Sequence, residues 1–114
     1  MDDRTFDKQT ALDWIAAVEA SAQTARDTDI YPMLNEWIKG ALPNTILDIG
    51  CGQGVCSEKI DLSGCRYVGI EPSLFLLNRA TELYASENRA FLLGNAYDLP
   101  VLNGSFEAAF SVLV

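Results

Sequence analysis

Histidine is absent from the 114-residue chain. That excludes a Ser-His-Asp or Cys-His catalytic arrangement and any zinc site built on imidazole. Cysteine is scarce: Cys51, Cys56 and Cys65 are an odd count of three with no CxxC spacing. A disulfide framework or zinc site is not expected, and reduced thiols in a cytoplasmic protein are. Basic residues are few, eight against sixteen acids, for a net charge of −8. A nucleic-acid partner, which needs clustered Lys and Arg, is therefore not expected. No apolar run approaches the roughly 20 residues that span a bilayer, so no membrane partner is expected. The acidic start MDDRTFDKQT does not read as a signal peptide. Hydrophobic residues nevertheless make up 49%, enough for one globular domain with a modest core.

Residues 1–43 read as a helical cap. Ala11, Leu12, Ile15 and Ala16 recur at helical spacing, with Trp14 and Val18 beside them. A polar break follows at QTARDTD. Pro32 suits a first helical position, and Gly40 suits the position just past a helix end. Residues 44–114 change period. TILDI, 45–49, reads as a buried strand of the parallel kind. A short helix is expected over 53–63, stopped by Gly64, then a strand over 66–70. Pro72 and Ser73 open an amphipathic helix with the stripe Leu76, Leu77, Ala80, Leu83 and Tyr84. Strands over 90–93 and 106–114 complete a β-α-β-α-β-loop-β order. Such alternation predicts an α/β fold with right-handed crossovers and a parallel sheet, the two regions forming one structural unit.

The chemistry concentrates in TILDIGCGQG. Gly50, Gly52 and Gly54 follow the first strand, where open α/β sheets bind ligands. A phosphate-binding P-loop is excluded, because no Lys-Ser or Lys-Thr follows. The dinucleotide pattern G-x-G-x-x-G fits only in part, since its third glycine falls on Val55. Asp48, two residues before Gly50, would repel a pyrophosphate and favour a cationic group. The competing reading of Asp48 is a carboxylate that caps its own loop, and that of the glycines is a tight turn without a ligand. Glu71 follows Gly50 by 21 residues, close to the offset at which an acid binds a ribose hydroxyl pair. It could also be an exposed strand-end acid or a helix N-terminal charge. A ligand with a ribose at one end, a cationic group at the other and no phosphate between them fits both acids. S-adenosylmethionine has that make-up.

ILDIGCGQG resembles the first motif of the class I S-adenosylmethionine-dependent methyltransferases, in their small-molecule branch. YVGIEPS, 67–73, resembles the second motif, and LLGNAYDLPVLNGSFEAAFSVLV, 92–114, the third segment and fourth strand. The resemblance implies a Rossmann-like partial sheet ordered 3-2-1-4, with the N-terminal helices as a variable lid. It implies a cofactor site of Asp48, Gly50, Cys51, Gly52, Glu71, Pro72, Ser73, Asn95, Ala96 and Ser111. In that site the backbone of Gly50, Cys51 and Gly52 lies against the methionine portion. Asp48 orients the loop and attracts the ammonium, and Glu71 holds the ribose. Pro72 and Ser73 flank the adenine, whose edge meets the Asn95 side chain and the Ala96 N–H. Ser111 and Val112 border the methyl-donor end. Tyr31 is a candidate to close over the carboxylate, or else a core residue.

Asn95 stands where the resembled pattern has Asp, and its amide oxygen could still accept from the adenine amino group. The resembled sheet continues beyond a fourth strand, where this chain ends. A truncated form, weak catalysis by this chain alone and no identifiable catalytic base are the expectations that follow. A homo-oligomer through residues 106–114 is expected, because that strand would form an unprotected edge. The leading function is methyl transfer from S-adenosylmethionine to a small-molecule acceptor. A non-catalytic cofactor-binding or interaction module is the alternative, and a nicotinamide oxidoreductase a weaker third.

Overall fold

Thr45–Ile49 forms the strand expected of TILDI and lies inside a four-stranded parallel sheet. The computed structural model describes residues 8–20, 26–62, 64–99 and 106–111. Its strands are β1 (Thr45–Ile49), β2 (Arg66–Glu71), β3 (Arg89–Leu93) and β4 (Ala108–Phe110). Its α-helices are α1 (Lys8–Ala20), α2 (Tyr31–Ala41), α3 (Val55–Lys59) and α4 (Leu74–Tyr84). The strand order is β3-β2-β1-β4, as the resemblance implies. The order reverses between β1 and β4, so the loop after β1 opens at the switch point of the sheet.

Pairing register decides which side chains share a face. Asp48 aligns with Gly69 of β2 and Phe110 of β4, and Ile46 with Tyr67 and Ala108. These residues, with Phe91 opposite Gly69, therefore project to one side of the pleat. Tyr31, Leu34 and Ile38 of α2, Cys56 of α3 and Ile60 just after it cover that side and form the core with Ile46 and Tyr67. Tyr67 and Phe91 meet edge to face at 5.8 Å, and Trp37 and Phe110 at 6.4 Å. Leu47 and Ile70, on the opposite face, are also buried, as expected of central parallel strands. The start of β4 is clamped to the start of β1. Glu107 accepts from the Asn44 backbone N–H at 2.8 Å and donates its own N–H to Thr45 Oγ1 at 2.9 Å.

Several boundaries differ from the sequence expectation, each for a local reason. The second half of the expected polar break, together with Ile30 after it, is a π-helical turn, Arg26–Ile30, leading into α2. Gly40 stays helical. The left-handed residue is Leu42, φ 48°, whose N–H returns to the Ile38 carbonyl at 2.8 Å. Pro43 disfavours the right-handed helical region at Leu42, so the helix ends there and not at the glycine. The helix expected over 53–63 shrinks to Val55–Lys59. Gly54 must finish the loop at φ 84° before a helix can start, and Ile60 is already extended. Gly64, φ 85°, turns the chain into β2. On α1, Ala11 is buried but Leu12 and Ala16 are exposed, and on α4 Leu83 is exposed. The strand expected over 106–114 is Ala108–Phe110, and 112–114 lie outside the described residues.

Candidate functional site

The glycine loop leaves β1 by crossing over the end of β2. The N–H groups of Gly50 and Cys51 both donate to the Ile70 carbonyl, at 2.8 and 3.0 Å. Gly50, Gly52 and Gly54 all have positive φ, 78°, 59° and 84°. Their surroundings separate them into two kinds. A Cβ at Gly54 would meet Ala80 Cβ and Tyr84 Cδ2, each at 3.0 Å, so this glycine lets α3 pack against α4. A Cβ at Gly52 would meet nothing within 4 Å, and one at Gly50 only Ser111 Oγ at 4.0 Å. Those two glycines therefore turn the chain without filling the space beside it, which leaves room for a ligand against the backbone.

Glu71 ends β2 and is 3% exposed, so it is not an exposed strand-end acid. Its Oε1 accepts from the Gly52 N–H at 2.8 Å and its Oε2 from the Ser73 N–H at 2.9 Å. One carboxylate thus ties the glycine loop to the turn before α4. Each oxygen keeps a second lone pair, the capacity that two vicinal hydroxyl donors need. Burial raises its pKa, and the two backbone N–H groups oppose that rise. Ser73 is buried as the N-cap of α4, its Oγ accepting from the Leu76 N–H at 3.4 Å, and Pro72 beside it is half-buried.

Asp48 is 2% exposed, and its Oδ2 accepts from the Tyr67 hydroxyl at 2.5 Å. The partner is a side chain of the neighbouring strand and not the N–H groups of its own loop. Burial pushes the carboxyl up to about 6, the Tyr67 hydrogen bond pulls it back, and the Glu71 charge adds to the rise. Cys51, next in the loop, is buried, and burial and the same two carboxylates hold its thiol protonated.

The remaining expected residues gather at the same edge. Gly94 N–H donates to the Glu71 carbonyl at 3.2 Å, which brings Asn95 and the exposed Ala96 beside the end of β2. Asn95 Oδ1 accepts from the N–H groups of Tyr97 and Asp98, at 2.9 and 3.0 Å. Both lone pairs of this oxygen are thus engaged in the turn, where the sequence leaves it open to the adenine amino group. Ser111 Oγ donates to the Ile49 carbonyl at 2.8 Å and sits across from Gly50. Val112 lies outside the described residues. Tyr31 is buried in the core cluster, the second of its two expected roles.

Three residues of the site escaped the sequence reading. Tyr67 could have been found, because a mid-strand acid needs a buried polar partner on the same face of a neighbouring strand. Gln53 is buried, with its Nε2 donating to the Ile15 carbonyl at 3.3 Å, and so fastens α1 to the glycine loop. Gly69 is needed for space: a Cβ there would lie 2.7 Å from Cys51 Sγ and 3.0 Å from Phe91 Cδ1. Gly69→Ala is expected to cost about 1–3 kcal/mol of stability by overpacking. Urea unfolding measures it, and adding Cys51→Ala should recover part of the loss. Unchanged stability in the single variant would contradict this packing.

A separate cavity of about 640 Å³ opens at the other end of the strands, between α2 and the turns before β1 and β2. Asn35, Lys39, Asn44 and Gly64 line it, and none of the glycine-loop residues does. Among the described residues, no helix is long and apolar enough to cross a membrane.

Residues 46–114 match the family model described as a methyltransferase domain. Two curated fungal proteins are similar. The O-methyltransferase resE of Aspergillus sclerotiorum is 35% identical over 72 residues, 59% of this chain and 27% of that protein. The O-methyltransferase rstn1 of Aspergillus nomiae is 31% identical over 84 residues, 69% of this chain and 37% of that one. The chain thus spans well under half the length of these relatives. Among solved structures, the plantazolicin methyltransferase BpumL in complex with a pentazolic analogue and S-adenosylhomocysteine superposes with a TM-score of 0.70 at 18% identity. That match covers 94% of this chain and 42% of BpumL. CalS10, an amino pentose methyltransferase from Micromonospora echinaspora with bound S-adenosylmethionine, gives 0.66 at 19%, over 88% of this chain and 41% of that one. At these identities the structures show a shared fold.

Proposed function

The chain belongs to the class I S-adenosylmethionine-dependent methyltransferases, and on that premise we propose that it binds S-adenosylmethionine between the glycine loop, Glu71 and Asn95 for methyl transfer to a small molecule. The observation that carries the reading is the contrast among the glycines. Gly54 is packed, while Gly50 and Gly52 border open space next to a buried carboxylate with lone pairs to spare. Bound there, the cofactor supplies an electrophilic methyl group on a sulfonium. The chain's own part is to hold and orient. The Gly50, Cys51 and Gly52 backbone lies along the amino-acid portion, and Glu71 accepts from the ribose hydroxyls. Pro72, Ser73, Asn95 and Ala96 frame the base, and Ser111 borders the reacting end. Asp48 acts by its charge from beneath the loop, since its burial keeps it from an exposed contact. Orientation of this kind contributes much of the rate of an in-line displacement.

The relatives' names favour an oxygen nucleophile on a small acceptor. The α1–Gln53 contact supports the 1–43 region as a cap over the 44–114 cofactor-binding region. Three free thiols suit a reducing compartment, which supports the cytoplasm. The net charge of −8 speaks against a nucleic-acid substrate. Equilibrium dialysis tests the reading: one equivalent of S-adenosylmethionine is expected to bind where NADH does not. Binding of neither would contradict it.

A second copy of the chain is the proposed partner at β4. Among the described residues β4 pairs only with β1, and Ala109 is exposed on it. An unprotected edge invites pairing, and two copies joined about a two-fold axis would cover it. Light scattering is expected to show a dimer that Ala109→Lys dissociates. A monomeric wild type, or a dimer indifferent to that lysine, would contradict the proposal.

A further inference from the structure

The turn after β3 fixes which way the side-chain amide of Asn95 is oriented. Its Oδ1 accepts from two backbone N–H groups, those of Tyr97 and Asp98. An amide nitrogen cannot accept, so these two donors settle which end of the amide faces the turn. The other end is Nδ2, which can only donate. Asn95 is half-buried beside the end of β2, next to the Glu71 that receives the ribose in the reading above. An aspartate here could close the same turn with one oxygen and offer the second to a donor. Asparagine offers nothing that accepts.

We propose that Asn95 presents a hydrogen-bond donor to the purine, so that this site does not read the 6-amino group of its cofactor through position 95. The inference rests on the proposed cofactor reading and adds to it a specificity. The amino group of adenine is itself a donor, and it finds no acceptor at Asn95. The ring nitrogens beside it are acceptors, and Nδ2 suits those. Recognition of the base then falls to ring nitrogens, stacking and shape.

The probe pair is S-adenosylhomocysteine and its analogue with unsubstituted purine in place of adenine. The analogue lacks only the amino group and keeps every ring nitrogen. Titration calorimetry on the wild-type chain is expected to give affinities for the two within about threefold. Asn95→Asp preserves the turn and adds an acceptor, so it should favour S-adenosylhomocysteine over the analogue by about tenfold or more, the scale of a charge-assisted hydrogen bond. Taking the ratio of ratios cancels any difference in stacking between the two bases. Discrimination of about tenfold by the wild type itself would overturn the proposal, and that arm needs no variant to fold. Equal affinities in both proteins would overturn it too, by showing that position 95 does not reach the base. Failure of the wild type to bind S-adenosylhomocysteine at all would remove the underlying reading, a result distinct from either.

Discussion

Asp48→Asn is expected to stabilise the ligand-free protein at neutral pH and to weaken its binding of S-adenosylhomocysteine. Both effects come from one buried charge. The folded-state pKa is about 6, raised from 3.8 chiefly by burial. The folded protein therefore holds that proton more tightly than the unfolded chain does. The stability this provides is complete below about pH 4 and is lost as the pH rises through about 6. The loss amounts to about 3 kcal/mol for a shift of this size. Asparagine keeps an acceptor for the Tyr67 hydroxyl and removes the ionisation. Urea unfolding between pH 4 and 7 should show a decline in the wild type that is reduced by at least half in the variant. Glu71, also raised by burial, leaves a residual slope of the same sign. The groups facing Asp48 are Tyr67 and Glu71 from β2 and Cys51 from the loop. Phe110 of β4 brings no charge. Binding should move the other way. A ligand ammonium favours ionised Asp48, so wild-type affinity for S-adenosylhomocysteine rises with pH through about 6, and the variant loses about tenfold above it. Methylthioadenosine, which has no ammonium, should bind both proteins alike. Equal losses for the two ligands would assign Asp48 a purely structural part.

Glu71→Ala has the second large effect. Its carboxylate satisfies the Gly52 and Ser73 N–H groups, and both lose their acceptor in the variant. A buried donor left without a partner costs about 1–3 kcal/mol. The variant should therefore lose about 2 kcal/mol or more of stability, and binding of S-adenosylhomocysteine should fall about thirtyfold or more. Glu71→Gln keeps one accepting oxygen and should fall between the alanine variant and the wild type on both measures. Thermal unfolding and calorimetry on the three proteins give the test. An alanine variant that binds as well as the wild type would show that Glu71 holds the loop together and nothing more.

The parallel sheet was legible because its strands announce themselves. TILDI and RYVGI are short, apolar and β-branched, and each precedes a glycine or proline turn. The glycine loop and its two acids were legible for the same reason, being local in sequence. What stayed hidden depends on contacts across the sheet. Asp48 could be seen to need a partner, but Tyr67 becomes that partner only through the β1–β2 register. Gly69 looks like an ordinary strand glycine until Cys51 is folded over it. The Asn95 oxygen was open to a ligand on paper, and the turn that claims it forms only when Tyr97 and Asp98 come round. Helix ends were misplaced where proline or loop geometry outranked glycine, as at Leu42 and Gly54.

The central claim is that the crevice at the ends of β1 and β2 is where the cofactor binds. Titration of the isotope-labelled wild-type chain with S-adenosylhomocysteine, followed through its amide resonances, tests that most directly. The account predicts saturable shifts centred on Gly50, Cys51, Gly52, Ser73 and Ala96, with Asn35, Lys39 and Gly64 at the far cavity unmoved. Saturable shifts confined to that cavity, or no saturable shift at all, would contradict it.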